Sequence, residues 1–395
     1  MDGQKEVVIT GCVRTAIGAF GGSLAGVAPT ELAAKVSAEA IKRGGAAPAD
    51  VGHVVFGQVI HSEPKDMYLS RVAAITAGIP EHVPALTLNR LCGSGMQAVV
   101  SAAQMIMLGD TLVALAGGAE SMSRAPFASL DTRWGKRLGD AALTDMLTAA
   151  LTDPFGAGHM GVTGENVASD MNISREQQDQ LALLSQQRAG RAIEEGRFDS
   201  QILPVQVKIG REQKMFALDE HVRSDTTLER LGELKPAFRE GGTVTAGNAA
   251  GLNDGAAALL LMSGEEAARR KIAPMARLVS YGHAGVAPSR MGLGPVPAVK
   301  AALARAGLTI GDIDVIESNE AFAAQACAVA QELNLPPEKT NPNGGAIALG
   351  HPVGATGAVI LVKLIHELDR INGRYGLATM CIGGGQGIAV VVERV

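Results

Sequence analysis

One cysteine stands in a glycine-rich stretch directly before an apolar helical pattern, where it can act as a nucleophile. Residues 91–95 read LCGSG, and the helical pattern follows at once. Unpaired N–H groups and the positive end of a helix dipole favour a thiolate, so we expect Cys92 to have a lowered pKa. A lone cysteine is more often a buried structural residue. The Gly-Ser-Gly context favours the nucleophile instead.

One histidine stands in a second glycine-rich stretch, at residues 341–357 (NPNGGAIALGHPVGATG). Pro352 follows His351 and stiffens the chain, because proline restricts the backbone and lacks an N–H. An imidazole held in this way can take a proton from a thiol. An isolated histidine of this type is more often a surface residue in a turn. The helix predicted from about Gly357 places His351 before a helix, much as Cys92 is placed.

Two further segments carry polar groups at the ends of predicted strands. Cys381 ends an apolar run and enters three glycines, whose N–H groups can bind an oxyanion. Taken alone, Cys381 is better explained as a core cysteine. Asn319 and Glu320 follow the strand at residues 314–316, where an amide can hold a water or polarise a carbonyl. A helix cap formed by Asn319 is an equal alternative.

The elements that must position these residues alternate between strands and helices. Residues 7–9 read as a buried strand, residues 30–43 as an amphipathic helix with Thr30 as its N-cap, and residues 51–56 as the next strand. This alternation predicts an α/β fold whose sheets are covered by helices.

A second copy of this pattern follows later in the chain. Residues 40–51 (AIKRGGAAPADV) resemble residues 302–313 (ALARAGLTIGDI), and residues 113–118 resemble residues 377–384. We interpret the two copies as duplicated halves. Chance similarity between alanine-rich helices is the alternative. The predicted boundaries are an N-terminal half at 1–120, completed by about 243–271, and a C-terminal half at 272–395.

The segment between the halves, residues 121–242, is more polar. A helix is predicted at residues 174–196, with Ser174 and Gln177 as a capping-box pair. We expect an inserted lobe that covers a site built by the two halves, since loops on a rigid scaffold often carry function.

Composition excludes several classes of protein. The formal net charge is −5 and aromatic residues make up 3%, so a phosphate-neutralising stripe and stacking residues for nucleic acid are not expected. The N-terminus carries two acids and no apolar signal block, and apolar runs are too short to span a bilayer. We expect a cytoplasmic protein without membrane or nucleic-acid partners. The four cysteines lack CxxC spacing, so we expect no zinc site or disulfide framework.

Taken together, these stretches resemble the thiolase family along the whole chain. NRLCGSGMQAVVSAAQMI is similar to its nucleophile motif, NPNGGAIALGHPVGATG to its histidine motif, and GLATMCIGGGQGIAVV to its second-cysteine motif. SNEAFAAQA is similar to its asparagine motif, with Ser318 where the family has alanine. The nearest resemblance is to bacterial biosynthetic β-ketothiolases, including those that feed polyhydroxyalkanoate synthesis.

The resemblance implies a five-layered αβαβα fold of two duplicated halves with an inserted loop domain. It implies a reversible Claisen condensation of acyl-CoA molecules by a ping-pong mechanism. Cys92 would carry the acyl group, and His351 would activate Cys92 beside a water held by Asn319. Cys381 would remove the α-proton of the second acetyl-CoA. The backbone N–H groups of Cys92 and Gly383 would form an oxyanion hole.

The resemblance also implies a binding site for coenzyme A and acyl-CoA as substrates, with no tightly bound cofactor and no metal. Its residues would be His159, Met160, Arg223, Ala250, Leu252, Met291, Ala321 and Phe322. Ala250 replaces the serine usual in the family, which removes one hydroxyl contact to CoA. A homotetramer, built as a dimer of dimers through an arm at residues 124–147, is also implied.

Three alternatives make different predictions. A decarboxylating condensing enzyme of the same fold would lack the second cysteine. A non-catalytic thiolase-like protein that binds CoA or lipid would lack at least one of Cys92, His351 and Cys381. A dinucleotide-binding oxidoreductase would need GxGxxG after the first strand, and the glycines between Gly11 and Gly22 do not fit that spacing.

Overall fold

The computed structural model of this protein describes residues 5–395. The first part of the chain alternates strands and helices from its start, as the sequence predicts. Its elements are β1 (Val7–Thr15), β2 (Gly18–Ala19), α1 (Pro29–Arg43), β3 (His53–Gly57), α2 (Leu69–Thr76), β4 (Ala85–Leu88), α3 (Ser94–Leu108) and β5 (Val113–Ser121).

The middle of the chain has long helices and only short strands. Its elements are β6 (Phe127–Ala128), β7 (Thr144–Asp145), α4 (Met146–Ala150), β8 (Thr152–Asp153), β9 (Gly158–His159), α5 (Met160–Asp170), α6 (Arg175–Glu194), β10 (Ile202–Leu203), β11 (Val205–Ile209), β12 (Glu212–Phe216) and α7 (Leu228–Gly232). Apart from β10, which pairs with β1, its strands form separate two-stranded sheets.

The last part of the chain returns to long strands and helices. Its elements are β13 (Asn253–Ser263), α8 (Gly264–Arg270), β14 (Ala276–Gly285), α9 (Pro295–Ala306), β15 (Val315–Ser318), α10 (Ala323–Leu333), α11 (Ala346–Leu349), α12 (Thr356–Ile371), β16 (Tyr375–Ile382) and β17 (Gln386–Arg394). Short 3₁₀ turns lie at Pro48–Asp50, Pro64–Tyr68, Met122–Arg124, Pro288–Leu293 and Ile310–Asp312.

The main strands form two arrays with the same order. The first array runs β3-β5-β13-β1, with β4 added at its outer edge, and the second runs β15-β16-β17-β14. The arrays meet where β1 and β14 pair antiparallel over two residues of each strand. Helices α3 and α12 contact each other and strands of both arrays, whereas α1 and α9 cover the outer faces. This is the predicted five-layered αβαβα architecture of two duplicated halves.

The repeat seen in the sequence follows from turns that recur in both halves. Gly45 and Gly307, which hold equivalent positions in the two copies, both have φ 68°, a left-handed conformation that glycine adopts without strain. At the next turn, the carboxylate of Asp50 accepts the N–H of residue 47 at 2.7 Å. The carboxylate of Asp312, at the equivalent position of the second half, accepts the N–H of Thr309 at 2.8 Å. The same helix stop and turn chemistry explains why the two segments read alike.

Two helix starts show where local sequence signals succeed and fail. The capping box at α6 is confirmed, because Ser174 Oγ accepts the N–H of Gln177 at 3.2 Å and Gln177 Oε1 accepts the N–H of Ser174 at 2.8 Å. The predicted cap at Thr30 is wrong. Helix α1 begins at Pro29, and its N-cap, Ala28, makes no side-chain hydrogen bond. Proline suits the first helical position, because the N–H that it lacks would be unpaired there.

A buried ion pair ties the middle segment to the first half. The guanidinium of Arg14, on β1, donates to both carboxylate oxygens of Asp219 at 2.7 and 2.9 Å, and neither side chain is exposed. Arg14 also lies over the ring of Phe198, 5.0 Å from its centroid. Paired, bidentate geometry is what makes a buried charge tolerable. The ion pair therefore anchors Asp219, and with it the start of the segment at residues 219–223, to strand β1.

One stretch in residues 5–395, Leu91–Leu108, is apolar enough to be compared with a membrane span. Its helical part is α3, which lies between the two strand arrays. The 15 residues of α3 fall short of the roughly 20 that cross a bilayer. The apolar character of this stretch is explained by its place in the core.

Candidate active site

The nucleophile candidate lies in a strained turn before α3. Leu91 has φ 47°, which is uncommon for a residue with a side chain. Asn89 Oδ1 accepts the N–H of Leu91 at 2.8 Å, and Ser94 Oγ donates to the Leu91 carbonyl at 2.7 Å. Strain of this kind persists only where neighbours enforce it, and it is common at active sites. These bonds hold Cys92 in place immediately before the helix N-terminus.

The histidine candidate is buried and oriented by its own loop. His351 donates its backbone N–H to Asn253 Oδ1 at 2.9 Å, and its Nδ1 lies 2.7 Å from Thr356 Oγ1. Because that hydroxyl donates its single proton to the carbonyl of Pro352 at 2.9 Å, we assign the ring proton to Nδ1. Nε2 is then an unprotonated acceptor, and it is buried without a partner among the described residues. The alternative of a surface histidine is wrong.

Glycines bring the two loops together where α3 and α12 cross. A Cβ on Gly95 would lie 2.8 Å from the backbone nitrogen of Ala358, and a Cβ on Gly357 would overlap the backbone of Met96. Gly95 and Gly357 hold equivalent positions in the two halves, as the paired helix stops do. The two helix N-termini therefore approach each other about a pseudo-twofold axis, and the loop before each helix faces the same space.

The second cysteine reaches this space from β16. Cys381 is buried at the strand end, followed by Gly383 and two glycines with positive φ. Burial raises the pKa of the Cys381 thiol, and the nearby Cys92 sulfur raises it further. A thiol with a raised pKa yields a strongly basic thiolate. Cys381 therefore lies near Cys92 as a thiol that is neutral at rest.

The expected lowering of the Cys92 pKa is wrong for the free protein. Burial raises the pKa of this thiol to about 11, although hydrogen bonds from the N–H of Gly383 and from its own N–H act in the opposite direction. Desolvation outweighs the helix terminus, because Cys92 is half-buried among protein atoms at the wall of the cavity. Burial also lowers the pKa of His351 to about 4. The resting pair is therefore a neutral thiol and a neutral imidazole.

The asparagine candidate occupies a separate position. Asn319 follows β15, and its backbone N–H donates to the carbonyl of Thr379 at 3.0 Å. Its side-chain oxygen and nitrogen have no partner among the described residues. It lines a chamber of about 10 Å³ with Thr356, enough for one water, and not the main cavity. The cap alternative is wrong, since α10 begins at Ala323 after an uncapped Phe322.

A cavity of about 620 Å³ gathers the other predicted site residues. At its inner end lie Cys92, His351, Cys381 and Gly383. The predicted CoA-site residues line it as well, namely His159, Met160, Arg223, Ala250, Leu252, Met291, Ala321 and Phe322. All predicted site residues except Asn319 therefore share one space, and Asn319 stands behind it.

A histidine in this cavity is set to donate a hydrogen bond. Nδ1 of His159 accepts the N–H of Gly161 at 3.1 Å, so the ring proton lies on Nε2. Burial lowers the pKa of His159 and keeps the ring neutral. The ring stacks on Phe238 with centroids 4.9 Å apart. His159 can therefore donate to a carbonyl of a bound chain.

The inner end of the cavity is apolar on one side. Met160, Met291 and Phe322 are buried and form one cluster with Cys381. Methionine side chains adapt to small groups. This corner suits an acyl group, next to the two sulfurs.

The outer end opens toward a second cavity of about 300 Å³, which shares His221, Arg223 and Ala246 with the first. Arg230 also lines it, but its guanidinium donates to the carboxylate of Asp225 at 2.6 Å, so Arg223 is the guanidinium placed to contact a phosphate group. His221, Arg230 and Phe238 were not predicted from the sequence. The HVR run at residues 221–223 was a signal for the first of them. Phe238 had no signal.

Groups of three or more metal-ligating side chains were not found within residues 5–395. The cavity is lined by side chains and backbone groups that include the thiols of Cys92 and Cys381 and the imidazole of His351.

Known proteins match this chain over its full length. The family described as "Thiolase, N-terminal domain" matches residues 7–265, and "Thiolase, C-terminal domain" matches residues 272–394. A beta-ketothiolase, BktB, of Cupriavidus necator is 62% identical, covering 99% of this chain and 100% of that protein.

Solved structures match equally well. The crystal structure of the Bacillus anthracis acetyl-CoA acetyltransferase covers 100% of both chains, with a TM-score of 0.97 and 48% identity. Human mitochondrial 3-ketoacyl-CoA thiolase in complex with CoA superimposes with a TM-score of 0.96 and 44% identity, covering 99% of this chain and 98% of that chain.

Proposed function

This chain belongs to the thiolase family, and from that premise we propose that it is a β-ketothiolase, an acetyl-CoA C-acetyltransferase. It joins two acyl-CoA molecules into a 3-ketoacyl-CoA and free CoA, and it catalyses the reverse cleavage. One observation carries the proposal: two thiols and one unprotonated imidazole nitrogen belong to residues that line a single cavity large enough for a pantetheine chain.

The first half-reaction transfers an acyl group to Cys92. Nε2 of His351 takes the thiol proton as the sulfur attacks the thioester carbonyl. The carbon–sulfur bond to CoA then breaks, and the leaving thiolate takes the proton of Cys381. The products are an acylated Cys92, free CoA, an imidazolium at His351 and a thiolate at Cys381.

The second half-reaction forms the carbon–carbon bond. The Cys381 thiolate removes the α-proton of the second acetyl-CoA, and the resulting enolate attacks the acyl carbonyl on Cys92. The N–H groups of Cys92 and Gly383 bind the oxyanion that develops there. Collapse of this intermediate releases the Cys92 sulfur, which takes back its proton from His351.

We assign to Asn319 the role of holding a water molecule. This water and His351 together donate hydrogen bonds to the thioester oxygen of the enolate. The two unpartnered amide atoms of Asn319 beside a chamber of one-water size support this role. An enolate forms only where its oxygen is stabilised as charge develops. No resident cofactor is required by these steps.

The apolar corner at Met160, Met291 and Phe322 supports short acyl groups as substrates. Thiolysis of 3-ketoacyl-CoA substrates of increasing length tests both activity and specificity. We expect kcat/KM to be highest for the shortest substrates and to fall with length. CoA binding without any cleavage would instead support a non-catalytic CoA- or lipid-binding protein.

We further propose a homotetramer built as a dimer of dimers, located in the cytoplasm and serving short-chain acyl metabolism such as polyhydroxyalkanoate synthesis. The arm at residues 124–147 exposes large apolar side chains, namely Phe127, Leu130, Trp134, Leu138 and Leu143. Contiguous exposed apolar groups mark association surfaces. Light scattering tests the assembly, and we expect replacement of these side chains by serine to yield dimers. Tetramers that persist would contradict the role of the arm.

A further inference from the structure

A buried carboxylate joins the two halves behind the catalytic loops. Glu120 lies near the end of β5 and is fully buried. Its Oε2 accepts the N–H of Val59 and the N–H of Gly354, both at 2.9 Å, and its Oε1 accepts the N–H of Ile60 at 3.2 Å. Gly354 lies shortly after His351 in the same loop. One side chain of the first half therefore holds the histidine loop of the second half.

The contact is close and has no spare room. A Cβ on Gly354 would overlap Glu120 Oε2 and would lie 2.9 Å from the Cα of Gln58. Among the described residues, the hydrogen bonds of Glu120 all come from backbone N–H groups, and burial raises the pKa of its carboxyl group to about 8, so the neutral acid is its main form at neutral pH. Backbone N–H groups are costly to leave unpaired when buried. The loop is thus tied to Glu120 by both fit and hydrogen bonding.

The pseudo-twofold axis shows that this strand position supports the opposite loop in both halves. Ile382, which holds the position in the second half that Glu120 holds in the first, packs against Gly93, the residue that follows Cys92. In one half the support is apolar packing, and in the other it is a set of hydrogen bonds. Of the two loops, the histidine loop is held by hydrogen bonding to Glu120, whereas the cysteine loop is held by packing of Ile382.

We propose that Glu120 is a positioning residue that sets the placement of the His351 loop relative to Cys92 through the N–H of Gly354. The inference rests on the proposed roles of Cys92 and His351. Rates of group transfer depend steeply on geometry, and a misplacement of about 1 Å can cost roughly 100-fold. The CoA cavity is built by other residues, so its affinity is expected to change little.

The test is a single-turnover measurement of acylation by acetyl-CoA in the Glu120→Gln variant. The amide replaces one acceptor oxygen by an NH2 group that faces backbone N–H donors. We expect the acylation rate constant to fall roughly 100-fold, with acetyl-CoA affinity unchanged within a factor of about 2.

A matched control is available at Glu165, another buried carboxylate that accepts backbone N–H groups, from Thr243 at 2.9 Å and Val244 at 2.8 Å. Glu165→Gln makes the same chemical change away from the two loops. We expect it to lower the melting temperature while keeping the acylation rate.

A second readout separates the histidine loop from damage to the cysteine loop. Alkylation of Cys92 by iodoacetamide at high pH uses hydroxide as the base and needs no imidazole. We expect Glu120→Gln to retain this alkylation while losing acylation at neutral pH. Equal loss of both would contradict the inference, because the cysteine loop would then be the part disturbed.

Acylation at the wild-type rate in Glu120→Gln would also overturn the inference. If wild-type protein itself failed to acylate, the proposed function would have failed instead. Should Glu120→Gln not fold, Glu120→Asp keeps the carboxyl group but shortens the reach to Gly354, and the same loss of acylation with retained CoA affinity is expected. A full acylation rate in that variant would count against the role.

Discussion

Burial sets the protonation state of the reactive side chains. The Cys92 thiol has its pKa raised to about 11, and the His351 imidazole has its pKa lowered to about 4, in both cases mainly by desolvation. Neither group carries charge at neutral pH. At neutral pH we therefore expect the thiolate of Cys92 to form mainly as the imidazole takes the proton during attack, so that substrates bound in the cavity react faster than free reagents do.

This protonation state predicts a pH profile. The thiolate fraction of Cys92 rises with pH until about 11, so alkylation of the free protein by iodoacetamide should rise about tenfold per pH unit from pH 7 to pH 10. Acylation by acetyl-CoA should stay nearly constant from pH 6 to pH 9, because His351 remains neutral above about pH 4. Stopped-flow and mass-spectrometric rates check both. A plateau of alkylation below pH 8 would show a lowered thiol pKa instead.

A second prediction concerns Ala250, a position at which the resemblance implies that the family usually has serine. Its side chain lines the main cavity. A serine hydroxyl there can add one hydrogen bond to bound CoA, worth about 1 kcal/mol, or roughly a fivefold lower Kd. Calorimetric titration of Ala250→Ser with CoA measures this. An unchanged or higher Kd would show that the hydroxyl finds no partner in this chain.

Residue identities in the site were predictable because their glycine-rich contexts are distinctive, but their electrostatics were not. The expected thiolate at Cys92 failed, since the degree of burial depends on α12 and β16, which are distant in the chain. The side chain of Asn319 was expected among the site residues, and it lies in a smaller chamber behind them. Its unpaired amide atoms are visible only in three dimensions.

At the scale of elements, the crossing of α3 and α12 depends on glycine. A methyl group at Gly95 would press on the backbone of Ala358 at 2.8 Å and on the carbonyls of Ala355 and Gly354 at 3.0 Å. Backbone atoms cannot yield as side chains do, so overpacking of about 1–3 kcal/mol is expected. Gly95→Ala should therefore lower both the melting temperature and the rate of thiolysis.

The matched control is Gly26→Ala, because a Cβ at Gly26 meets nothing within 4 Å. We expect this variant to keep its melting temperature and rate. Calorimetry and a thiolysis assay on both proteins make the comparison. If Gly95→Ala behaved like Gly26→Ala, the close crossing would not be what positions the catalytic loops.

Elements with strong local signals were predicted well. The capping box of α6 and the paired helix stops at Gly45 and Gly307 follow from short-range chemistry. The predicted start of α1 was wrong. Threonine is a common N-cap residue, which favoured Thr30, but the helix already begins at Pro29, a residue type suited to the first helical position. The pairing of β1 with β14 could not be predicted from local sequence. Only two residues of each strand pair, and the two strands are separated by most of the length of the chain.

At the scale of the whole molecule, the middle segment lines part of the cavity and is tied to the first half by Arg14 and Asp219. Asp219→Asn would leave the guanidinium of Arg14 buried without a charge partner, at a cost of about 3–5 kcal/mol. Because His221 and Arg223 follow directly, we expect a lower melting temperature and a higher KM for CoA. Thermal unfolding and thiolysis kinetics measure the two effects.

The control for this prediction is Glu212→Gln. Glu212 pairs with Lys214 at 2.9 Å on the surface of the same middle segment, where ion pairs contribute little. Its loss should leave both KM and melting temperature unchanged. Equal behaviour of the two variants would mean that the buried pair does not hold the middle segment over the cavity.

The two α/β halves were predictable because the duplicated sequence repeats the same local signals, whereas the five-layered architecture was predicted from the family resemblance. The turns around residues 45–50 and 307–312 mark equivalent positions in two strand arrays that have the same order. The extent of the cavity was not predictable, since its walls come from every part of the chain. The contribution of Phe238 and the second cavity beyond Arg223 emerge only from packing.

The division of labour between the two sulfurs is the central claim, and one measurement tests it most directly. Cys381→Ala is mixed with acetyl-CoA, and the intact protein and its peptides are weighed by mass spectrometry. We expect one acetyl group on Cys92 and no condensation product. Normal condensation by this variant, or an acetyl group on a residue other than Cys92, would contradict the assignment of nucleophile and base.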